Sequence, residues 1–244
     1  MIVQITHADL FVKNGMDLEV GWLPAVIRQT RNRTVRPGGD GHVDASEGIE
    51  PIQVPDIPLG DLRRLGDVHP QGNPHFTLEP VTAIPAAQSI ARALARVDSD
   101  YADLFRENLA KFSEEAHEVL DEYQKRFDEV GTVRVIIYHK HFDYMLERIG
   151  LVVADSIEPL PGLAPSARHV AELIRRHSPE TVSMVIMEPW HDQRVGRQVA
   201  DGVGVPLLVL CPTVGSCEGA EDLICLFETN ARKLLDVLEA AEGE

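Results

Sequence analysis

"VRVIIYHKHFDYMLERIGLVVADSI", residues 133–157, decides the fold. Its opening "VRVIIYH" (133–139) is a nearly unbroken run of β-branched and apolar residues, the pattern of a strand buried on both faces. "FDYMLERIG" (142–150) carries helical spacing, and "LVVADSI" (151–157) is a second apolar strand. A helix between two such strands leaves no room for a hairpin, so the strands run parallel. The alternation continues downstream. "SARHVAELIRRHS" (166–178) is a helix, "TVSMVIME" (181–188) and "VPLLVLC" (205–211) are strands separated by a helix over 191–202, and "AEDLICLFETNARKLLDVLEAAE" (220–242) is the last helix. Residues 131–244 therefore form an α/β lobe with a parallel sheet covered on both sides.

Upstream, Leu104, Phe105, Leu109, Phe112, Ala116, Val119, Leu120, Tyr123 and Phe127 recur in steps of three and four. That periodicity predicts one amphipathic helix of about seven turns, roughly 40 Å long at 1.5 Å per residue. A helix of that length over 99–130 reads as a strut between two lobes, the first comprising residues 1–98. This first lobe opens with a strand-like piece at 2–12 and turns through Asn14-Gly15 into a helix. An irregular Gly-, Pro- and Asp-rich stretch from about 31 to 72 follows, then a helical pattern at 81–96. The expected fold class is α/β, with two α/β lobes, parallel sheets and one long backbone helix joining them.

The chain has 244 residues and a formal charge of −16, from 39 acids against 23 Lys and Arg. So acidic a surface repels phosphate backbones and argues against nucleic acid as a partner. No run approaches 18 apolar residues, so no membrane span is expected. "MIVQITHADLFV" lacks the basic start, apolar core and cleavage site of a signal peptide. The three cysteines, Cys211, Cys217 and Cys225, are too few for a disulfide scaffold, and an odd count leaves at least one thiol unpaired in a monomer.

Chemistry can sit in two places. In "GNPHFTLEP" (72–80), Pro74 fixes its own φ and pushes Asn73 out of helix, so His75 is presented from a rigid turn. An imidazole held that way suits a metal ligand or proton shuttle, and equally a plain turn. In the α/β lobe, ligands collect beyond the carboxyl ends of the strands. Three strands end there in His139, Glu188 and Cys211, a set zinc tolerates. Each residue alone also has an ordinary structural use. No G-x-G-x-x-G, P-loop, G-x-S-x-G, H-E-x-x-H or C-x-x-C occurs. A Cys–His hydrolase built on Cys211 has no motif behind it.

The stretches "ADLFVKNGMDLEVGWLP", "NPHFTLEP", "YHKHFDYMLERIGL", "EPWHDQ…VADGVGVPLLVL" and "GAEDLICLFETNARKLLDVL" run in one order over nearly the whole chain. In that order and spacing the sequence resembles the zinc/manganese solute-binding proteins of bacterial ABC transporters. The resemblance implies a periplasmic, monomeric binding protein that captures Zn²⁺, or Mn²⁺, between two lobes and hands it to a membrane permease, without performing chemistry. It implies His75 as the first-lobe ligand and His139 as the second-lobe ligand, histidine at that place leaning toward zinc. His141 falls where the family has a small residue, which makes it at most an outer partner. The family's further acid before Pro in the last strand is here Cys211. A thiolate there can ligate zinc; a disulfide to Cys217 would take it away. Family members also begin with a segment bearing another histidine, so the first lobe is expected to be incomplete, with His7, His42 or His69 as conceivable substitutes. The alternatives from other classes are a zinc-dependent hydrolase with Glu188 as base and a metal-free module that binds through its long helix.

Overall fold

A computed structural model describes residues 2–56 and 69–242; residues 57–68 of the irregular stretch lie outside the described residues. The chain divides into two compact units. One is built from residues 2–56, His69–Phe76 and Val81–His117, the other from Thr77–Pro80 and residues 118–242.

The first unit holds α1 (Ile2–Thr6), β1 (Phe11–Lys13), α2 (Leu23–Gln29), β2 (His42–Asp44) and α3 (Ile84–Val97). It also holds the start of α4 (Ala102–Val130), which is one continuous helix of 29 residues. β1 and β2 pair in parallel, Phe11 opposite His42 and Lys13 opposite Asp44. The opening residues differ from the expected strand. Ile2–Thr6 is a short helix, which lets Ile5 pack on Val26 and Val35 and lets the Thr6 hydroxyl donate back to the Ile2 carbonyl. Strand preference in so short a piece is weak beside that packing. β2 has no signal in the sequence, because three residues of a Gly- and Asp-rich stretch show no period; only pairing with the distant β1 makes it a strand.

The second unit holds the remainder of α4, then β3 (Val133–Ile137), α5 (Asp143–Arg148), β4 (Leu151–Ser156), α6 (Ala167–Arg176), β5 (Met184–Met187), α7 (Gln193–Val203), β6 (Leu207–Val209) and α8 (Leu223–Glu242). Its four strands are parallel, in the order β4-β3-β5-β6. Val133 faces Leu151, Val135 faces Met184 and Val185 faces Leu207. Ile136, Val185 and Met187 form one core with Val170 and Leu173 of α6 and Val199 and Val203 of α7. Strand neighbours point to opposite faces, so Val135, Ile137, Met184 and Ile186, all fully buried, line the other side. The continuous apolar runs follow from that double cover. Local signals stop the helices where the sheet needs them. Asp192 caps α7 by accepting from the Arg194 N–H, and Gly204, at φ 88°, closes it in the left-handed region that a side chain disfavours.

The fold is thus α/β with parallel sheets and one long helix. From β3 the chain builds outward to β4, then crosses back to add β5 and β6 on the other side. The carboxyl ends of β3 and β5 flank this reversal, which is where open α/β sheets take ligands. Among the described residues, no helix is long and apolar enough to cross a membrane.

Candidate metal centre

In the first unit His75 sits in a turn fixed from several sides. Gly72 has φ 108°, and a Cβ there would come within 2.8 Å of both the Ile52 carbonyl oxygen and Pro51, so only glycine fits. The buried Asn73 donates its N–H to the Ile52 carbonyl and accepts the His75 N–H on its side-chain oxygen, an Asx turn. Asn14 donates to the Pro74 carbonyl at 3.0 Å. The half-buried imidazole is presented by a scaffold with little slack.

In the second unit His139 and His141 leave the end of β3 in a tight turn, the His141 N–H donating to the His139 carbonyl at 2.8 Å. Each offers one ring nitrogen, and the two lie within 4.8 Å of one another. The Nδ1 of His139 meets Oε2 of Glu158. Glu158 is itself oriented, because its Oε1 accepts from the Gly162 N–H at 3.0 Å and its own N–H donates to the Tyr138 carbonyl. A carboxylate accepts, so His139 donates from Nδ1, and this contact favours the tautomer that ligates through Nε2. His141 is the opposite case. Its Nε2 lies 2.9 Å from the Pro212 carbonyl, which can only accept, so the proton is on Nε2 and the lone pair on Nδ1. Burial pushes the His141 pKa down to about 4, with His139 and His191 adding repulsion and the Pro212 bond opposing. His141 is therefore neutral at physiological pH, the form that binds metal.

The sequence points to His139 here and to His141 only as an outer partner; in the structure the two rings stand together at the end of β3. The signal is the H-x-H of "YHKH", whose spacing becomes meaningful only once the strand ends in a tight turn. Glu158 has no such signal, since nothing in "SIEPLPG" marks a loop carboxylate that turns back to a histidine 19 residues earlier.

Cys211 is corrected. It is disulfide-bonded to Cys217, with Cα atoms 5.9 Å apart, so its sulfur has no thiolate for a metal. The backbone path explains the pairing: the chain beyond β6 folds into a short loop that brings residue 217 back beside residue 211. Glu188, at the end of β5, is fully buried, and among the described residues neither carboxyl oxygen has a hydrogen-bond partner of good geometry. The His191 Nε2 lies 3.4 Å away, and the His191 ring stacks on Tyr138 at 4.1 Å. Desolvation lifts the Glu188 pKa to about 8, its own backbone N–H opposes, and the negative charges of Glu158 and Asp143 lift it further. A protonated acid beside a neutral ring makes no ion pair at neutral pH, so the 3.4 Å approach to His191 is a contact and not a salt bridge. His42, in β2, has its Nδ1 2.9 Å from the Val35 carbonyl. His7, just beyond α1, is exposed, and His69 is half-buried at the start of the Gly72 turn.

Comparison with known proteins identifies the family. The profile of the family described as zinc-uptake complex component A, periplasmic (ZnuA) matches residues 1–237. The high-affinity zinc uptake system protein ZnuA of Brucella abortus is 25% identical over 149 residues, 61% of this chain and 45% of that protein. The zinc-binding lipoprotein AdcA of Streptococcus pneumoniae is 23% identical over 252 residues, 96% of this chain and 46% of that protein. The chain thus spans about half the length of these curated relatives. A ZnuA crystal structure superposes with a TM-score of 0.77 at 22% identity, covering 97% of this chain and 82% of the other, a likeness of fold. By the match of its sequence along almost its full length, the chain belongs to the ZnuA family of periplasmic zinc-uptake components.

Proposed function

We propose that this chain captures a divalent metal ion, Zn²⁺ in preference to Mn²⁺, through His75, His139 and His141, and delivers it in the periplasm to the membrane permease of an ABC transporter. It acts as a monomer, binds no nucleic acid and performs no chemistry on the ion. The observation that carries the reading is the pair of imidazoles at the end of β3, each with one ring nitrogen engaged by a carboxylate or a carbonyl. That is the outer-partner arrangement of metal-ligating histidine. A donor set of imidazoles suits zinc, whereas manganese favours carboxylate and water oxygens. His75 is assigned as the third ligand because its turn presents a half-buried imidazole from a fixed backbone, as the family resemblance implies.

The hydrolase alternative has no support. A general base must reach a water or a substrate, and the Glu188 side chain is 1% exposed.

Calorimetric titration of metal-stripped protein tests the proposal. The parent should take up one Zn²⁺ per chain, with Mn²⁺ binding much more weakly. His75→Ala should lose more affinity than loss of an outer partner, which costs about 10–100-fold. If His75→Ala binds zinc as tightly as the parent, the assignment of that ligand is wrong. Glu158→Ala should itself cost about 10–100-fold, because His139 would then lose the acceptor that fixes its tautomer. An unchanged affinity would make the Glu158 contact incidental.

A further inference from the structure

The disulfide lies close to the metal centre in the bonding scheme, and this connection deepens the proposed function on which it rests. Cys211 is clamped by its backbone: its N–H donates to Asn230 Oδ1 and its carbonyl accepts from Asn230 Nδ2, both at 2.8 Å, with Asn230 fully buried. The next residue, Pro212, supplies the carbonyl that accepts from His141 Nε2. Pro212 has no N–H, so this carbonyl is the only conventional hydrogen-bonding group it has. Beyond it the loop folds on itself, the Ser216 N–H donating to the Thr213 carbonyl at 3.1 Å and the Gly215 N–H to the Ala220 carbonyl at 2.6 Å. Cys217 then closes the loop back onto Cys211. The Pro212 carbonyl is thus held between a side-chain clamp on one side and a covalent cross-link on the other.

We propose that the loop 211–217 is a positioning device for His141, and that its disulfide sets how tightly the site holds metal. With the loop closed, the Pro212 carbonyl keeps the proton of His141 on Nε2 and the lone pair on Nδ1. With the loop open, the carbonyl gains freedom, His141 samples both tautomers and orientations, and the ligand must be ordered at the moment of binding. Asn230 keeps one end of the segment in place in both states, so the change is graded and the fold survives. The sulfur bridge is reachable from the Cys217 side, where the half-buried Cys217 is flanked by the exposed Ser216 and Glu218. Cys225, the free cysteine among the described residues, is held in its thiol form by Asp222, its pKa raised chiefly by that hydrogen bond, which makes it a poor internal attacker. Reduction therefore calls for an external reagent. A phosphine suffices: it gives two electrons to the S–S bond, two protons from solvent complete the Cys211 and Cys217 thiols, and the phosphine leaves as its oxide with oxygen taken from water.

The test compares oxidised protein, protein reduced with tris(2-carboxyethyl)phosphine and freed of reagent under argon, and the Cys211→Ala/Cys217→Ala variant, each titrated with Zn²⁺. Far-UV circular dichroism checks that all three remain folded. Reduced protein should bind about tenfold more weakly, at the lower end of what losing an outer partner costs. The doubly substituted protein should match it. Imidazole ¹⁵N shifts of metal-free protein give a readout that loss of stability alone would not move: His141 should be a single Nε2–H tautomer when oxidised and an averaged one when reduced. Equal affinity in both states, or an unchanged His141 tautomer, overturns the inference while leaving the metal proposal standing. Tighter binding after reduction also overturns it, because a freed thiolate would then be ligating. If even the oxidised parent takes up no zinc, the metal proposal itself falls, and this inference with it.

Discussion

Zn²⁺ at a free concentration about a hundred times its dissociation constant should raise the stability of the protein by about 2.7 kcal/mol. For a chain of this size that corresponds to a rise in melting midpoint of roughly 5–10 °C. The effect expected of the proposed site is linkage: the folded chain would hold its imidazoles in place for one ion, and the unfolded chain scatters them. His139→Ala should remove nearly all of the rise, since it deletes the ring whose tautomer Glu158 fixes. His141→Ala is the more telling variant. The family pattern puts a small residue at that place, so a protein relying only on His75 and His139 would keep most of the rise after this substitution. A protein that uses the neutral His141 would lose it. Scanning calorimetry with zinc and with a chelator measures both, and a parent midpoint that does not move with zinc would sink the metal-capture proposal.

The difference between those variants shows where sequence stops informing. The strand-helix alternation of 133–211 is readable because a parallel sheet buried on both faces demands unbroken apolar strands, and Val135, Ile136 and Ile137 satisfy it within one run. The 29-residue helix is readable from its period, and the turn at His75 from Gly72, Asn73 and Pro74, whose conformational limits are local. What is not readable depends on contacts between distant segments. The Pro212 carbonyl reaches His141 across 71 residues, and Glu158 reaches His139 across 19. Cys211 looks like a ligand because it ends a strand beside the others. Its bond to Cys217 depends on the path of a loop with no periodicity to read. Glu188, at the same rim, is sealed from solvent, which no local pattern announces.

That sealing has a consequence for stability. The Glu188 carboxyl has a pKa of about 8 in the folded chain against an ordinary value of 4.5. Between those values the folded state holds a proton that the unfolded state has released, so stability falls as pH rises through the window and levels off above about 8. A tenfold change in proton affinity between the two states is worth about 1.4 kcal/mol, and the total from this group is on the order of a few kcal/mol. His191 offers little relief, since burial lowers its pKa and disfavours the charged ring that would pair with the carboxylate. Glu158 and Asp143 add to the cost by repulsion. Glu188→Gln keeps the shape and the hydrogen-bonding character of the protonated acid while removing the ionisation. Between about pH 6 and pH 8 the parent should therefore lose roughly 2–3 kcal/mol relative to Glu188→Gln, read as a midpoint gap of roughly 4–12 °C that opens with pH. Melting midpoints of the two proteins that stay parallel across that interval would mean that Glu188 ionises without hindrance, and that its seal is open to water.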